Sequence, residues 1–243
     1  MKNCLTDANK QQINSYLQRI SNILLINGGF LNNPGLYTGE MGIALFFARY
    51  ARYTQNELYS DYSFDLIEKI QNNIHQETSI DYKQGLAGIG STIEYLIQNN
   101  FFEADTDDLL EDFDKRIFST YNLPFLPDEK LLGIGYYALW RMSGSCVQKD
   151  WIRQTILQPV EKNLHDRSVI PAWLQSCRKN IPPGMDVNSF DRFFEPDHTP
   201  KNYIFDISAL DLGFLNGLAG LGLSLLTGLD GDDSCFSLFP NDF

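Results

Sequence analysis

Four stretches of the chain read alike: GLYTGEMGIALFFARYA from Gly35, QGLAGIGSTIEYLIQN from Gln84, KLLGIGYYALWRM from Lys130 and FLNGLAGLGLSLLTGL from Phe214. Each is a glycine turn that runs into an apolar segment. Their last glycines, Gly42, Gly90, Gly135 and Gly222, are 48, 45 and 87 residues apart, the last interval being about two periods. A fixed interval of about 45 residues marks stacked supersecondary units. GLAGIG does not match the GxGxxG phosphate loop and follows no predicted strand. The glycines are therefore read as turn and close-packing residues, supplying positive φ or letting backbones approach where a helix begins.

Between the glycine turns lie segments of helical periodicity. Ile13, Leu17, Ile20 and Leu24 share one face, as do Phe64, Ile67, Ile70 and Ile74, then Leu109, Phe113 and Ile117, then Ile152, Ile156, Val160 and Leu164. The third segment opens with Thr106 as N-cap and acids behind it, and the fourth carries Pro159, which should kink it. A striped helix needs cover on one side, whereas a helix apolar all round needs it on most. The arrangement meeting both demands is an inner layer of apolar helices wrapped by amphipathic ones, an all-α single domain over 1–243 of the helical-toroid or solenoid type. From about 171 to 206 the pattern fails: Pro171, Pro182, Pro183, Pro196 and Pro200 exclude a long helix and predict an irregular insertion.

Composition narrows the function classes. Nineteen basic against thirty-one acidic residues give a formal charge of −12 with no segregated basic patch, which argues against nucleic acid or an anionic membrane as partner. MKNCLTDANKQQ has no apolar stretch behind its first lysine and does not resemble a secretory signal. Cys4, Cys146, Cys177 and Cys235 form no CxxC pair, which suits free thiols in a reducing, cytoplasmic compartment. Residues 213–229 are the most apolar run, but their glycines and Asn216 fit a buried helix better than a membrane span. No transmembrane segment is expected.

QGLAGIGSTIEYLIQNNFFEADTDDLLEDFDKRI resembles the lanthionine synthetase C-like (LanC-like) family, the cyclases of lanthipeptide biosynthesis, and GLYTGEMGIALFF and FLNGLAGLGLSLL are similar to other repeats of that family. The resemblance implies an α/α-toroid, here a small complete ring or a partial one, with glycine turns at the rim of a central cavity. Gly39, Gly42, Gly85, Gly88, Gly90, Gly133, Gly135, Gly217, Gly220 and Gly222 would form those turns. It also implies zinc held by two cysteines and a histidine, activating a peptide thiolate that adds to dehydroalanine or dehydrobutyrine. Zinc suits that chemistry because it stabilises thiolate at neutral pH and leaves one tetrahedral position for substrate.

The family's ligands come from Trp-Cys-x-Gly and Cys-His-Gly turns, and neither string occurs in this chain. Leu215-Asn216-Gly217 stands in a register comparable to Cys-His-Gly, and Ala172-Trp173-Leu174 near the place of Trp-Cys. No metal and no cofactor is therefore expected. Asp81, four residues before Gly85, matches a family aspartate that faces the cavity and is the candidate catalytic residue; the matching histidine at Leu131-Leu132-Gly133 is absent. Alone, Asp81 cannot supply both an activated thiolate and a proton donor. The first functional expectation is a zinc-less member of lanthipeptide-type peptide modification that binds a precursor peptide or a partner such as a dehydratase or exporter. Alternatives are an active cyclase with nonstandard ligands, drawn for example from Cys146, Cys177, His165 and His198, and a toroid acting on another substrate such as a glycan.

Other residues receive structural readings. His75 sits near the end of a helix, Glu40 and Glu94 border glycine turns and are read as surface or capping residues, with reach into a cavity as the alternative, and Asp230-Gly231-Asp232-Asp233 forms a turn without the further ligands of a calcium loop. The aromatic residues Trp173, Phe190, Phe193, Phe194, Tyr203 and Phe205 pack within the insertion or cover the cavity.

Overall fold

The computed structural model describes residues 7–119, 123–164 and 211–239; the insertion and its aromatic residues, with Cys4, Cys177, His165 and His198, lie outside them. The described residues are helical, with no strand among them. Helix α1 (Asp7–Asn27) buries Ile13, Leu17, Ile20 and Leu24, the stripe its periodicity marks. By contrast, α2 (Glu40–Thr54) is buried at every residue from Glu40 to Ala51, and α4 (Leu86–Gln98) from Leu86 to Leu96. Two layers follow directly from that difference.

Around these inner helices lie α3 (Glu57–Asn72), α5 (Thr106–Leu109), α6 (Glu111–Phe118), α8 (Lys149–Ile152) and α9 (Gln158–Asn163), with α7 (Asp128–Ser143) and α10 (Leu218–Asp230) completing the inner row. The inner order is α10, α2, α4, α7. α3 packs on α2, α6 on α4, and α9 on α7. α1 packs on α10, so the first outer helix covers the last inner one.

Several local expectations are corrected. On α3 the buried face is Ser63, Leu66, Ile67 and Ile70, while Phe64 is exposed and stacks edge-on to Phe102 at 5.7 Å. Asp105, not Thr106, caps α5, its side chain accepting from the Asp107 N–H at 2.9 Å. The effect of Pro159 is a π-helical turn over Arg153–Leu157 immediately before α9. Proline lacks an N–H and crowds the carbonyl four residues back, and a wider turn relieves both.

Candidate functional site

Three loops with one design deliver the chain into α2, α4 and α10. Asn33, Ser79 and Asp211 open them, and their side-chain oxygens accept from the N–H two residues on: Gly35 at 2.9 Å, Asp81 at 3.3 Å and Gly213 at 3.1 Å. Their carbonyls accept from the first helical N–H: Glu40 at 2.8 Å, Leu86 at 2.9 Å and Leu218 at 2.9 Å. These paired bonds fix the correspondence of the repeats. Gly39, Gly85 and Gly217 are equivalent, as are Gly42, Gly88 and Gly220, so Gly42 matches Gly88 and not Gly90. The Asn, Ser or Asp six residues before the first glycine is a signal the sequence reading missed, and it is an ordinary Asx or ST turn.

Close approach, not positive φ, explains these glycines. Gly39, Gly85 and Gly217 have extended backbones with φ of −119°, −124° and −116°. A Cβ on Gly88 would stand 1.9 Å from the Tyr82 carbonyl oxygen, on Gly220 2.0 Å from that of Phe214, and on Gly42 2.6 Å from that of Leu36. Gly90 and Gly222 lie further along their helices, where a Cβ would strike Tyr137 at 2.5 Å and Phe46 at 2.3 Å respectively. They make room for an aromatic side chain between helices. Gly133 and Gly135 lie inside α7, which begins at Asp128 behind Pro127, so no turn forms at Leu131-Leu132-Gly133. Pro127 with Asp128 and Glu129 starts the helix early, proline and first-turn acids both favouring a helix N-terminus.

The loops stack on one another to make a rim. The Leu215 N–H donates to Tyr37 O at 2.8 Å, and the Tyr37 N–H to Lys83 O at 3.0 Å. A Cβ on Gly213 would sit 2.6 Å from the Thr38 Cα and one on Gly35 2.5 Å from the Gln84 Cα, so each loop lies backbone to backbone on the next. Asp81 occupies the same position as Gly35 and Gly213. It carries a side chain where the next inner helix, α7, presents no such loop. Its Oδ1 accepts from the Gln84 N–H at 2.7 Å, which holds the loop closed, and beyond it Lys83 pairs with Glu129 at 2.8 Å.

The rim carries amides and hydroxyls. Asn33 Nδ2 donates to Thr38 Oγ1 at 3.0 Å and to Gln84 Oε1 at 2.6 Å, while Gln84 Nε2 donates to Thr38 Oγ1 at 2.9 Å. Leu215 is 45 % exposed beside them, and Asn216 adopts φ 57°, a conformation asparagine tolerates. At the opposite ends of the inner helices sit two buried arginines. Arg49 of α2 reaches Asp230 at 3.0 Å through Nη2, and Nη1 lies 2.9 Å from Asp232 Oδ2 as an ion contact out of hydrogen-bonding line. The Asp230–Asp233 segment is thus an arginine anchor.

Arg141 of α7 gathers Glu94 at 3.0 Å, Asp114 at 2.9 Å and Asp107 at 2.6 Å, and Tyr137 donates its hydroxyl to Asp114 at 2.5 Å. Burial raises the Glu94 carboxyl above its ordinary value, against the pull of Arg141. Burial also works against Asp107, but the Val147 N–H and Arg141 outweigh it and hold that carboxyl low. Glu40, expected at the surface with Glu94, is likewise buried and pairs with Lys69. In both cases a cation from a neighbouring helix offsets part of the burial. A cavity of about 550 Å³ lies beside Arg141, lined among others by Asp107, Asp114, Cys146, Phe118 and Trp151.

The model of the family described as lanthionine synthetase C-like protein matches residues 31–169, more than half the chain. The chain belongs to the LanC-like family. No curated protein and no solved structure matches it. The matched span holds the loops before α2 and α4. The loop before α10 lies outside it and joins the same frame through its hydrogen bonds to Tyr37.

LanC-like proteins typically bind zinc, and the residues described in this one do not fit it. Cys146 and Cys235 are buried, the first beside Arg141 and the second in the segment after α10, and His75 is exposed in the loop after α3. Among the described residues no group of three His, Cys, Asp or Glu side chains comes together to hold a metal. At the rim, the positions comparable to Cys-His-Gly present Leu215 and Asn216.

Proposed function

We propose that this LanC-like protein is a zinc-less, cytoplasmic binding member of a lanthipeptide-type modification system. It takes up a precursor peptide, or a partner such as a dehydratase or exporter, at the rim of stacked glycine loops. The observation that carries the reading is the chemistry of that rim. Leu215 and Asn216 stand in the Cys-His register, and the adjoining Asn33, Thr38 and Gln84 offer amide and hydroxyl groups in place of thiolate and imidazole. Such groups pair with peptide backbone and do not activate a thiol. Asp81 is a loop-closing residue in this reading, its carboxylate engaged by the Gln84 N–H.

Isothermal calorimetry with a synthetic cysteine-containing, Ser/Thr-rich precursor peptide tests this. Heat is expected at micromolar concentration and should be lost in Leu215→Glu, which places a charge on the exposed rim residue. Purified protein should hold far less than one zinc per chain. Absence of heat at high micromolar peptide sinks the binding role. Stoichiometric zinc, lost together with thioether formation in Cys146→Ala or Cys177→Ala, establishes an active cyclase instead.

A further inference from the structure

The cavity of about 550 Å³ beside Arg141 has apolar walls that the ion cluster does not require. Ile152 and Ile156, each 1 % exposed, lie at its base, and Trp151 stands edge-on to Phe118 with ring centroids 6.0 Å apart. Trp151 is 45 % exposed, so part of its ring is left uncovered. A concave site of this volume, mostly apolar with a few polar groups at one end, has the dimensions of a small-molecule pocket.

The polar end is anionic. Asp107, Glu111 and Asp114 line it against Arg141 and Lys115, three carboxylates to two cations. Arg141 is only 1 % exposed and also serves Glu94, so its charge is spent inward, and Lys115 is held by Glu111 at 2.9 Å. An anion would therefore meet carboxylates before it met a free cation. Asp114 is saturated by Arg141 and the Tyr137 hydroxyl. Asp107 is not. Its Oδ1 accepts from Arg141, its Oδ2 from the Val147 N–H at 3.1 Å, and the Cys146 thiol is a third donor, whereas a carboxylate has about four acceptor sites. The Asp107 side chain is 34 % exposed and that of Glu111 67 %, so both are within reach of a ligand in the cavity.

We propose that this cavity binds a small organic amine, its ammonium group on Asp107 beside Glu111 and its apolar body against Trp151, Ile152 and Ile156. One positive charge balances the excess carboxylate, and the exposed indole favours a cation near its face. The site lies at the end of the inner helices opposite the rim and does not depend on the peptide-binding reading.

Ligand-observed NMR tests this, as saturation transferred from the full chain to the ring protons of 2-phenylethylammonium chloride. Saturable binding in the millimolar range is expected for so small a probe. Phenylacetate, with a like ring and the opposite charge, should bind about tenfold more weakly or not at all. Asp107→Asn should weaken the amine about tenfold, the loss of a charged hydrogen-bond partner, and Trp151→Ala about fivefold. Trp151 is partly exposed, so that variant decides the matter if Asp107→Asn does not fold by circular dichroism. No saturable transfer at millimolar amine, equal binding of phenylacetate, or undiminished binding in a folded Asp107→Asn or in Trp151→Ala overturns the proposal.

Discussion

Gly88→Ala puts the loop geometry to its hardest test. The new methyl would lie 1.9 Å from the Tyr82 carbonyl oxygen, whereas carbon and oxygen settle at about 3.3 Å, so the backbone must open by roughly 1.4 Å. The loop cannot yield cheaply, because Leu86 N–H to Ser79 O and Gln84 N–H to Asp81 Oδ1 close it at 2.9 and 2.7 Å. Overpacking costs about 1–3 kcal/mol and a strained or lost hydrogen bond about 1, against a helix-propensity gain of about 1. The net loss is about 1–3 kcal/mol, or about 2–12 °C in Tm for a chain of this size. Gly220→Ala, at 2.0 Å from the Phe214 carbonyl, should match it, and Gly42→Ala at 2.6 Å should cost less. Gly228→Ala is the control: nothing lies within 4 Å of its added Cβ, so the variant should gain about 2–4 °C. Thermal melts followed by circular dichroism read the series. A Gly88→Ala protein within about 1 °C of wild type would refute close approach as the reason for these glycines.

The Arg141 cluster gives two further outcomes. Arg141→Met leaves the buried Glu94 and the half-buried Asp107 and Asp114 without their cation and should cost about 3–5 kcal/mol at pH 7, measured by urea unfolding, with the deficit shrinking in acid as the carboxyls protonate. Because the folded-state pKa of Glu94 is raised, its contribution is most favourable below the unfolded value of about 4.3 and declines as pH rises through the folded one. Glu94→Gln should remove that decline; unfolding curves of identical pH slope would contradict the assignment. Cys235 is fully buried and its thiol is pushed up to about 12, by burial above all, so iodoacetamide at pH 8 should label it only after unfolding, as read by peptide mass spectrometry.

Much of the frame is legible without coordinates. The stripes Ile13-Leu17-Ile20-Leu24 and Ile152-Ile156-Val160-Leu164 are buried as their spacing requires, because helix geometry alone decides which residues share a face. Phe64 is the instructive miss. On α3 two neighbouring stripes carry apolar residues; the one with Leu66, Ile67 and Ile70 faces inward, and Ser63 on that face is accommodated because its hydroxyl donates to the Ala44 carbonyl at 2.8 Å. The loop-opening Asn33, Ser79 and Asp211 were available in the sequence but have three different side chains, united only by the bond they make. Arg49 and Arg141 were visible too: a cation within an apolar stretch of helix must find carboxylates when it is buried.

By itself, then, the sequence determined an all-α chain of inner helices led in by glycine loops, its LanC-like frame, and the lack of the family's ligand strings. Each of these is a local matter of period, composition or short motif. Tertiary structure alone decided that α1 covers α10, that Gly42 corresponds to Gly88, that α7 begins without a glycine loop, and that Arg141 draws in Glu94, Asp107 and Asp114. Those facts join residues far apart in the chain, and no local periodicity records which distant side chain packing will bring within 3 Å of another.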